Sequence, residues 1–242
     1  MALPFFYKED IDATATIATM DEDTSKHVVQ VLRMQNGEQL QLTNGKGDLF
    51  TAEITDAHKK HCAVKIINTA SQQRPTSNIT IAISLVKNNS RFEWFLEKAT
   101  EIGVREIIPL LCQRTEKQHF RFDRMKTILV SAMLQSQQTW LPVLHEPVKF
   151  NDLIKKQKTA SSQYFIAHCI EDSKQPLARQ HINTSANLHI CIGPEGDFSA
   201  EEIDLALQKE FIPVSLGETR LRTETAGIVA ATLLTSLSSL SK

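Results

Sequence analysis

Hydrophobic and polar positions alternate with two different periods along this chain, and the change of period divides it. In roughly the first 70 residues the dominant period is two. Glu38 to Thr43 sets Leu40 and Leu42 between polar neighbours, and Asn44-Gly45 then offers a hairpin turn. Leu49 to Thr55 and Cys62 to Ile67 follow as strands. Between Asp23 and Met34, Val28, Val31 and Leu32 fall at helical spacing, with Asp23 or Thr24 as N-cap. These elements predict a small β-barrel carrying one helix, over residues 1–70.

Ser71 to Asn78 is polar, contains Pro75 and has no period, which marks residues 71–78 as a linker. From 79 to 242 strands alternate with helices. Ile79 to Val86 is an apolar strand, and Ser90 with Glu93 reads as a capping box opening a helix. Phe92, Phe95, Leu96, Ala99 and Ile102 form its buried stripe, and Gly103 stands at the C-terminal cap. Ile107 to Leu111 is a strand and Asp123 to Gln138 a second long helix. Tyr164 to Cys169, Leu188 to Ile192 and Val214 to Leu216 complete the strands. Ser199 and Glu202 form a further capping box, for a helix running to about Lys209. Such alternation implies a mainly parallel sheet covered by helices, an α/β domain.

Composition narrows the picture only slightly. The 242 residues are 41% hydrophobic and 23% charged, enough for a small domain joined to a larger one. A formal net charge of -1 means that any contact with nucleic acid must rest on a local basic face. Cys62, Cys112, Cys169 and Cys191 are well separated, form no CxxC pair and read as buried thiols in a reducing compartment. The start of the chain lacks the basic flank and apolar run of a signal peptide. Ala226 to Leu237 is too short to span a bilayer. The expectation is a soluble cytoplasmic protein with no membrane partner and no metal.

Two segments carry candidate chemistry. Leu188 to Ile192 runs into Gly193-Pro194-Glu195-Gly196, where two glycines let backbone approach a ligand beyond a strand's carboxyl end. Val214 to Leu216 ends in Gly217, and Arg220, Arg222, Thr223, Glu224 and Thr225 precede or begin a long apolar helix. Each segment alone also reads as a turn followed by a capped helix; as a pair they are candidates for two walls of one pocket. GxGxxG, GxxxxGK[ST], GxSxG and metal-spaced histidine pairs are all absent, which disfavours dinucleotide, P-loop, serine-hydrolase and zinc chemistry. His168 reads as structural and His27 as an exposed helix residue. Arg114, Lys117, His119, Arg121, Arg124 and Lys126 crowd one stretch, with Lys87, Arg91 and Lys98 before it. That stretch is either a solvated helix entrance or a phosphate-tracking surface.

In order along the chain, several blocks resemble the bacterial 16S ribosomal RNA uridine N3-methyltransferases, RsmE-like members of the SPOUT class. They are Lys26 to Arg33, Phe92 to Gly103, Gln135-Ser136 with Leu141-Pro142, Gly193 to Gly196 with Phe198, and Leu216-Gly217 with Leu221 to Ala226. The resemblance covers nearly the whole chain. It implies a PUA-like β-barrel for RNA, then a SPOUT α/β domain with a deep trefoil knot, a rare exception to unthreaded chains. It also implies S-adenosyl-L-methionine as cofactor, a homodimer, and 16S rRNA of the small ribosomal subunit as substrate. Carried over by position, Gly193, Pro194, Glu195, Gly196, Leu216, Gly217, Leu221, Arg222, Thr223, Glu224, Thr225 and Ala226 would bind the cofactor. Lys26, His27, Arg33, Lys87, Arg91, Arg114, Lys117 and Arg121 would meet RNA, and Arg222, Glu195 and Glu224 are the candidates for catalysis.

The chain also departs from the pattern. Asp197 stands where many members have a further glycine, and Leu134 and Gln137-Gln138 replace a more usual Glu and Gly-Arg. The missing arginine removes one expected phosphate or uracil contact. Two alternatives share much of this reading: methylation of another RNA site, such as a ribose 2'-O of tRNA, and a non-catalytic RNA-binding assembly factor. Intact glycine loops favour catalysis over the second.

Overall fold

The computed structural model describes residues 3–74, 78–116, 119–156, 159–170, 174–183 and 186–240. They form two compact units, Met1–Arg74 with Met133–Leu141, and Pro75–Ala132 with Pro142–Lys242. The division falls within the polar 71–78 stretch, of which 75–77 lie outside the described residues.

The first unit contains strands β1 (Phe5–Tyr7), β2 (Ile17–Thr19), β3 (Gln39–Thr43), β4 (Asp48–Asp56) and β5 (Ala63–Ser71), and helix α1 (Glu22–Lys26). Its sheet has the order β1-β3-β4-β5-β2, with β1 parallel to β3 and the other pairs antiparallel. Alternation does what it predicts here: Leu40, Leu42, Phe50, Ala52, Ile54 and Val64 are buried in one core. The helix differs from expectation. Asp21, not Asp23 or Thr24, is the N-cap, its carboxylate accepting the Thr24 N–H at 2.8 Å. After α1 the backbone widens into a π turn, His27–Val31, which rotates the apolar stripe outward. Val28 stays buried, but Val31 is 67% and Leu32 41% exposed.

Residues 133–141 join this unit through bonds with no local signature. Leu141 donates its N–H to Gly45 O (2.9 Å), and Gly47 donates to Thr139 O (2.9 Å). Trp140 Nε1 donates to Gln72 O, and the Arg74 guanidinium lies over the Trp140 ring at 4.8 Å.

In the second unit, β6 (Asn78–Ser84), α2 (Asn89–Ile102), β7 (Glu106–Leu111) and α3 (Phe122–Gln135) come first, α3 ending among the residues of the first unit. Next are β8 (Val143–Leu144), β9 (Val148–Lys149), α4 (Phe150–Lys155), β10 (Ser162–Ala167) and β11 (Gln175–Pro176). The chain closes with β12 (Asn187–Ile192), α5 (Ala200–Gln208), β13 (Ile212–Ser215) and α6 (Thr223–Leu240). All pairs in the sheet are parallel, in the order β11-β13-β10-β12-β6-β7-β8, with β9 on β7. The chain therefore builds outward from β6, returns to the far side for β10, and then inserts β12 between β6 and β10.

Helix ends follow side-chain chemistry, with one correction. Asn88, not Ser90, caps α2, accepting the Ser90 N–H at 2.9 Å, while Glu93 turns to Arg124 instead of closing a box. Gly103 ends the helix at φ +90° as expected. Ser199 and Glu202 do form the reciprocal capping box of α5. One face of the sheet packs Ala82, Leu110, Ile166 and Cys191 against Phe150, Phe198, Ile203 and Phe211, around α4 and α5. α6 lies along α2 and β6.

Candidate active site

Three adjacent strands deliver their carboxyl ends to one level. Ala167 of β10 is in register with Ile192 of β12 on one side and Val214 of β13 on the other. The loops that follow, at His168, Gly193 and Leu216, thus leave the sheet side by side. They enclose a cavity of about 420 Å³ against Ser215–Leu221, and a second of about 250 Å³ against Gly193–Glu195 and Arg222. Both are lined by Ala167, Cys169, Arg220, Leu221 and Ala226, so they are two lobes of one crevice at the switch in strand order.

The loop after β12 is fastened carbonyl by carbonyl. Thr223 Oγ1 donates to Gly193 O (3.0 Å), and Asp197 N–H to Pro194 O (2.9 Å). Arg220 Nη2 donates to Glu195 O (3.4 Å), and Arg114 Nη1 to Gly196 O (2.7 Å). The acceptors are spent, whereas the N–H groups of Glu195 and Gly196 have no acceptor among the described residues. The loop is a set of held donors at the rim of the crevice. Packing at Gly193 is tight, since a Cβ there would sit 3.1 Å from the Phe198 ring, which would have to give by a few tenths of an ångström. Gly217, at φ +151°, has open space where a side chain would project.

Of the residues expected at the cofactor, Gly193, Pro194, Glu195, Leu216, Gly217, Leu221, Arg222, Thr223 and Ala226 line the crevice. Gly196 faces the Arg114 side chain instead, and Glu224 and Thr225 lie in the first turn of α6, off the lining. The catalytic candidates occupy three different environments. Arg222 is exposed at the crevice, and its guanidinium has no partner among the described residues. Glu195 Oε1 accepts the Lys87 N–H at 3.0 Å, tying this loop to the one after β6. Glu224 is buried, with Arg91 Nε 3.7 Å from its Oε1.

A family model described as an RNA methyltransferase domain matches residues 72–235, and one described as an RNA methyltransferase PUA domain matches residues 20–67. Ribosomal RNA small subunit methyltransferase E of Synechocystis sp. is 32% identical over 234 residues, 94% of this chain and 74% of that protein. The chain belongs to this RNA methyltransferase family. A crystal structure of a "probable rRNA-methyltransferase" from Porphyromonas gingivalis matches with TM-score 0.91 and 37% identity, covering 99% of this chain and 100% of that one. Ribosomal RNA small subunit methyltransferase E of Neisseria gonorrhoeae, solved bound to S-adenosyl methionine, matches with TM-score 0.85 and 26% identity, over 97% and 98% of the two chains. A PUA-like first unit and a SPOUT-type α/β second unit are therefore the architecture of this methyltransferase.

The basic residues expected at RNA are more occupied than their density suggests. Lys26 pairs with Glu22 (2.9 Å), Lys87 with Glu116 (2.9 Å), and Arg91 faces Glu224. Arg114 is a loop anchor. His27 is exposed, edge-on to Phe6, Arg33 is exposed at φ +58°, and Arg121 is exposed. Lys117 lies outside the described residues. Sequence reading missed the third wall of the crevice, His168, Cys169 and Lys174, because no glycine or motif marks it. Lys174 Nζ staples that wall by donating to His168 O and Ile170 O, each at 2.6 Å. Of the thiols, Cys62, Cys112 and Cys191 are buried but Cys169 is exposed, against the expectation of burial.

A larger cleft, about 830 Å³, runs between α4 and α5 with Lys149, Lys155, Glu201 and Asp204 on its walls. It has the volume for a ligand, but its charges are ordinary surface ones and neither glycine loop reaches it. Held donors and an unpaired guanidinium single out the smaller crevice. Among the described residues no cluster of side chains could hold a metal ion, and no helix is long and apolar enough to cross a membrane.

Proposed function

We propose that this protein uses S-adenosyl-L-methionine to methylate N3 of a specific uridine in 16S rRNA of the small ribosomal subunit. The observation that carries the reading is the crevice at the ends of β10, β12 and β13, in a chain matching a cofactor-bound relative along almost all its length. The residues present fit that cofactor. The N–H group of Glu195, on the lining, is free to bond adenosine or its ribose, and Leu221 and Ala226 offer it an apolar wall. The insertion of β12 between β6 and β10, with the next two loops on one crevice, supports the deep trefoil knot that the resemblance implies. We further propose that the protein acts in the cytoplasm as a homodimer, as its resemblance to the family implies.

When bound, the cofactor supplies an electrophilic methyl group on a sulfonium. The protein's task is then to orient uracil N3 in line with that methyl and to manage one proton. Arg222, exposed on the crevice wall with an unengaged guanidinium, holds a uracil oxygen where negative charge develops. Glu195 is the carboxylate on the same wall, with one oxygen accepting the Lys87 N–H, and we assign the other oxygen the N3 proton. Glu224 is too deep to touch a base; it positions Arg91. A uridine must leave its stack to enter, and exposed basic residues of each unit, His27 and Arg33 in the first and Arg121 in the second, are the candidates to hold the RNA backbone meanwhile.

Transfer of a tritiated methyl group to undermethylated small subunits tests this, with nucleoside mass spectrometry naming the product. Wild type is expected to form N3-methyluridine in 16S rRNA, and Arg222→Ala to lose about 100-fold or more in rate. Label on a ribose 2'-O, or on tRNA alone, would overturn the assignment of target. No label with intact cofactor binding would overturn catalysis.

A further inference from the structure

Asp197 occupies a backbone conformation that favours glycine, with φ +65°. Many members of the family that the sequence resembles have glycine at this position, the residue best suited to that conformation. What replaces the lost backbone freedom is visible in the carboxylate. Oδ1 accepts the N–H of the next residue, Phe198, at 2.9 Å. Oδ2 accepts the N–H of Cys169 at 2.8 Å. The first bond is local and helps an aspartate tolerate the left-handed region. The second spans 28 positions in sequence and joins two different walls of the crevice.

Cys169 is the second residue after β10, at the start of the loop that follows that strand. Lys174 Nζ donates to two carbonyls of the same loop, those of His168 and Ile170. The charged carboxylate makes the strongest class of bond available between the two walls. Asp197 and Cys169 both line the 250 Å³ lobe, so the bond lies at the crevice rather than behind it.

We propose that Asp197 is a positioning residue: it clasps the loop after β10 to the loop after β12 and so holds the cofactor crevice in its binding shape. The clasp replaces, by one ionic hydrogen bond, looseness that a glycine at this position would leave. The consequence for cofactor rests on the proposed function; the clasp itself does not. A protein whose competent crevice is populated only part of the time binds with an affinity reduced by that fraction, so loss of the clasp falls on cofactor affinity.

Asp197→Gly and Asp197→Asn separate the clasp from strain. Glycine is at ease at φ +65°, so the Gly variant is expected to fold, and any fall in its melting temperature reflects the lost carboxylate bonds rather than backbone strain. In the free protein, hydrogen exchange at the Cys169 amide is expected to quicken about tenfold in Asp197→Gly. Asparagine tolerates the same backbone and keeps one acceptor oxygen, so it is expected to restore part of that protection. Calorimetry with S-adenosylmethionine should show affinity falling about fivefold for Gly and less for Asn, with KM for the cofactor moving more than kcat. Unchanged exchange at Cys169 in Asp197→Gly would overturn the clasp. Faster exchange with wild-type affinity would overturn its role in shaping the crevice. A wild-type protein that fails to bind the cofactor would sink the functional reading instead, and the exchange result on free protein would still decide the clasp.

Discussion

Arg91, in the first turn of α2, points its Nε at the buried Oε1 of Glu224, in the first turn of α6, across 3.7 Å. Glu224 is 7% exposed, and its other oxygen has no hydrogen-bond partner among the described residues. A carboxylate in that position is stabilised chiefly by its one cation, and removing the cation leaves a buried charge. Arg91→Ala is expected to cost about 1–3 kcal/mol of unfolding free energy. That is less than the ~3–5 kcal/mol typical of fully buried pairs, because the guanidinium is 40% exposed. Glu224→Gln removes the charge with the shape kept and is expected to cost less. Denaturant titration of the two variants decides: a greater loss from Gln than from Ala would contradict this account.

Gly227 sits where α6 crosses the sheet. A Cβ there would fall 2.7 Å from the Phe95 ring and 2.8 Å from the Ile83 side chain. Helix propensity alone would favour alanine by about 1 kcal/mol. Overpacking a tight core costs ~1–3 kcal/mol, so Gly227→Ala is expected to lower the melting temperature despite the better helix former. Adding Phe95→Leu to that variant should recover part of the loss, because it removes the ring that the methyl meets.

Thiol reactivity should report the crevice. Cys62, Cys112 and Cys191 are buried, and burial pushes the Cys112 thiol up to about 12, so it stays protonated at pH 8. Only Cys169 is exposed, and it lines both lobes. A chromogenic disulfide reagent is expected to find one fast thiol in the native protein, absent in Cys169→Ser. Saturating S-adenosylmethionine should slow it. A fast thiol indifferent to cofactor would place the ligand elsewhere.

Acid should loosen the second unit through His189. Its ring stacks on Tyr164 at 4.6 Å, and burial holds its pKa below the ordinary 6.5 despite the opposing field of Glu106. Below pH 6.5 the unfolded chain takes up a proton that the folded ring resists. Stability is therefore full above that pH and is lost as pH falls toward the lowered folded value. Melting curves from pH 7.5 to 5 should show this decline, and His189→Gln should flatten it. An equal slope in the variant would assign the decline to other groups.

How far the sequence carries the fold can be read from particular residues. Leu40 and Leu42 are buried as their alternation requires, and Ser199 with Glu202 caps α5, because both signals are local. The α2 cap was misplaced by two residues because Asn88 and Ser90 are both competent and only geometry chooses between them. β8, β9 and β11 have two residues each, too few to show any period. Glycine substitutions hide in the same way. Gln137 and Asp197 stand where the family pattern has glycine, yet both keep positive φ, at +54° and +65°. Gln137 does so in the turn ending α3, where Gln138 N–H bonds Met133 O (3.0 Å). In the site, two walls announce themselves by glycine, while the wall at Cys169 has no such mark. The cluster around Arg114 reads in sequence either as a solvated helix entrance or as a phosphate surface; only the fold shows that Arg114 itself bonds the carbonyl of Gly196.

The sequence by itself determined the long strands and helices and the two glycine loops, because those depend on side-chain period and on caps within a few residues. It also determined the family, through blocks such as Gly193 to Gly196 and Leu221 to Ala226. Only the tertiary structure decided that β12 inserts between β6 and β10, setting Ala167 beside both Ile192 and Val214. Strand order is a matter of contacts between distant segments, whose energy has no local signature. For the same reason, only the folded chain shows that Asp197 reaches back to Cys169 and that Glu224 waits on Arg91.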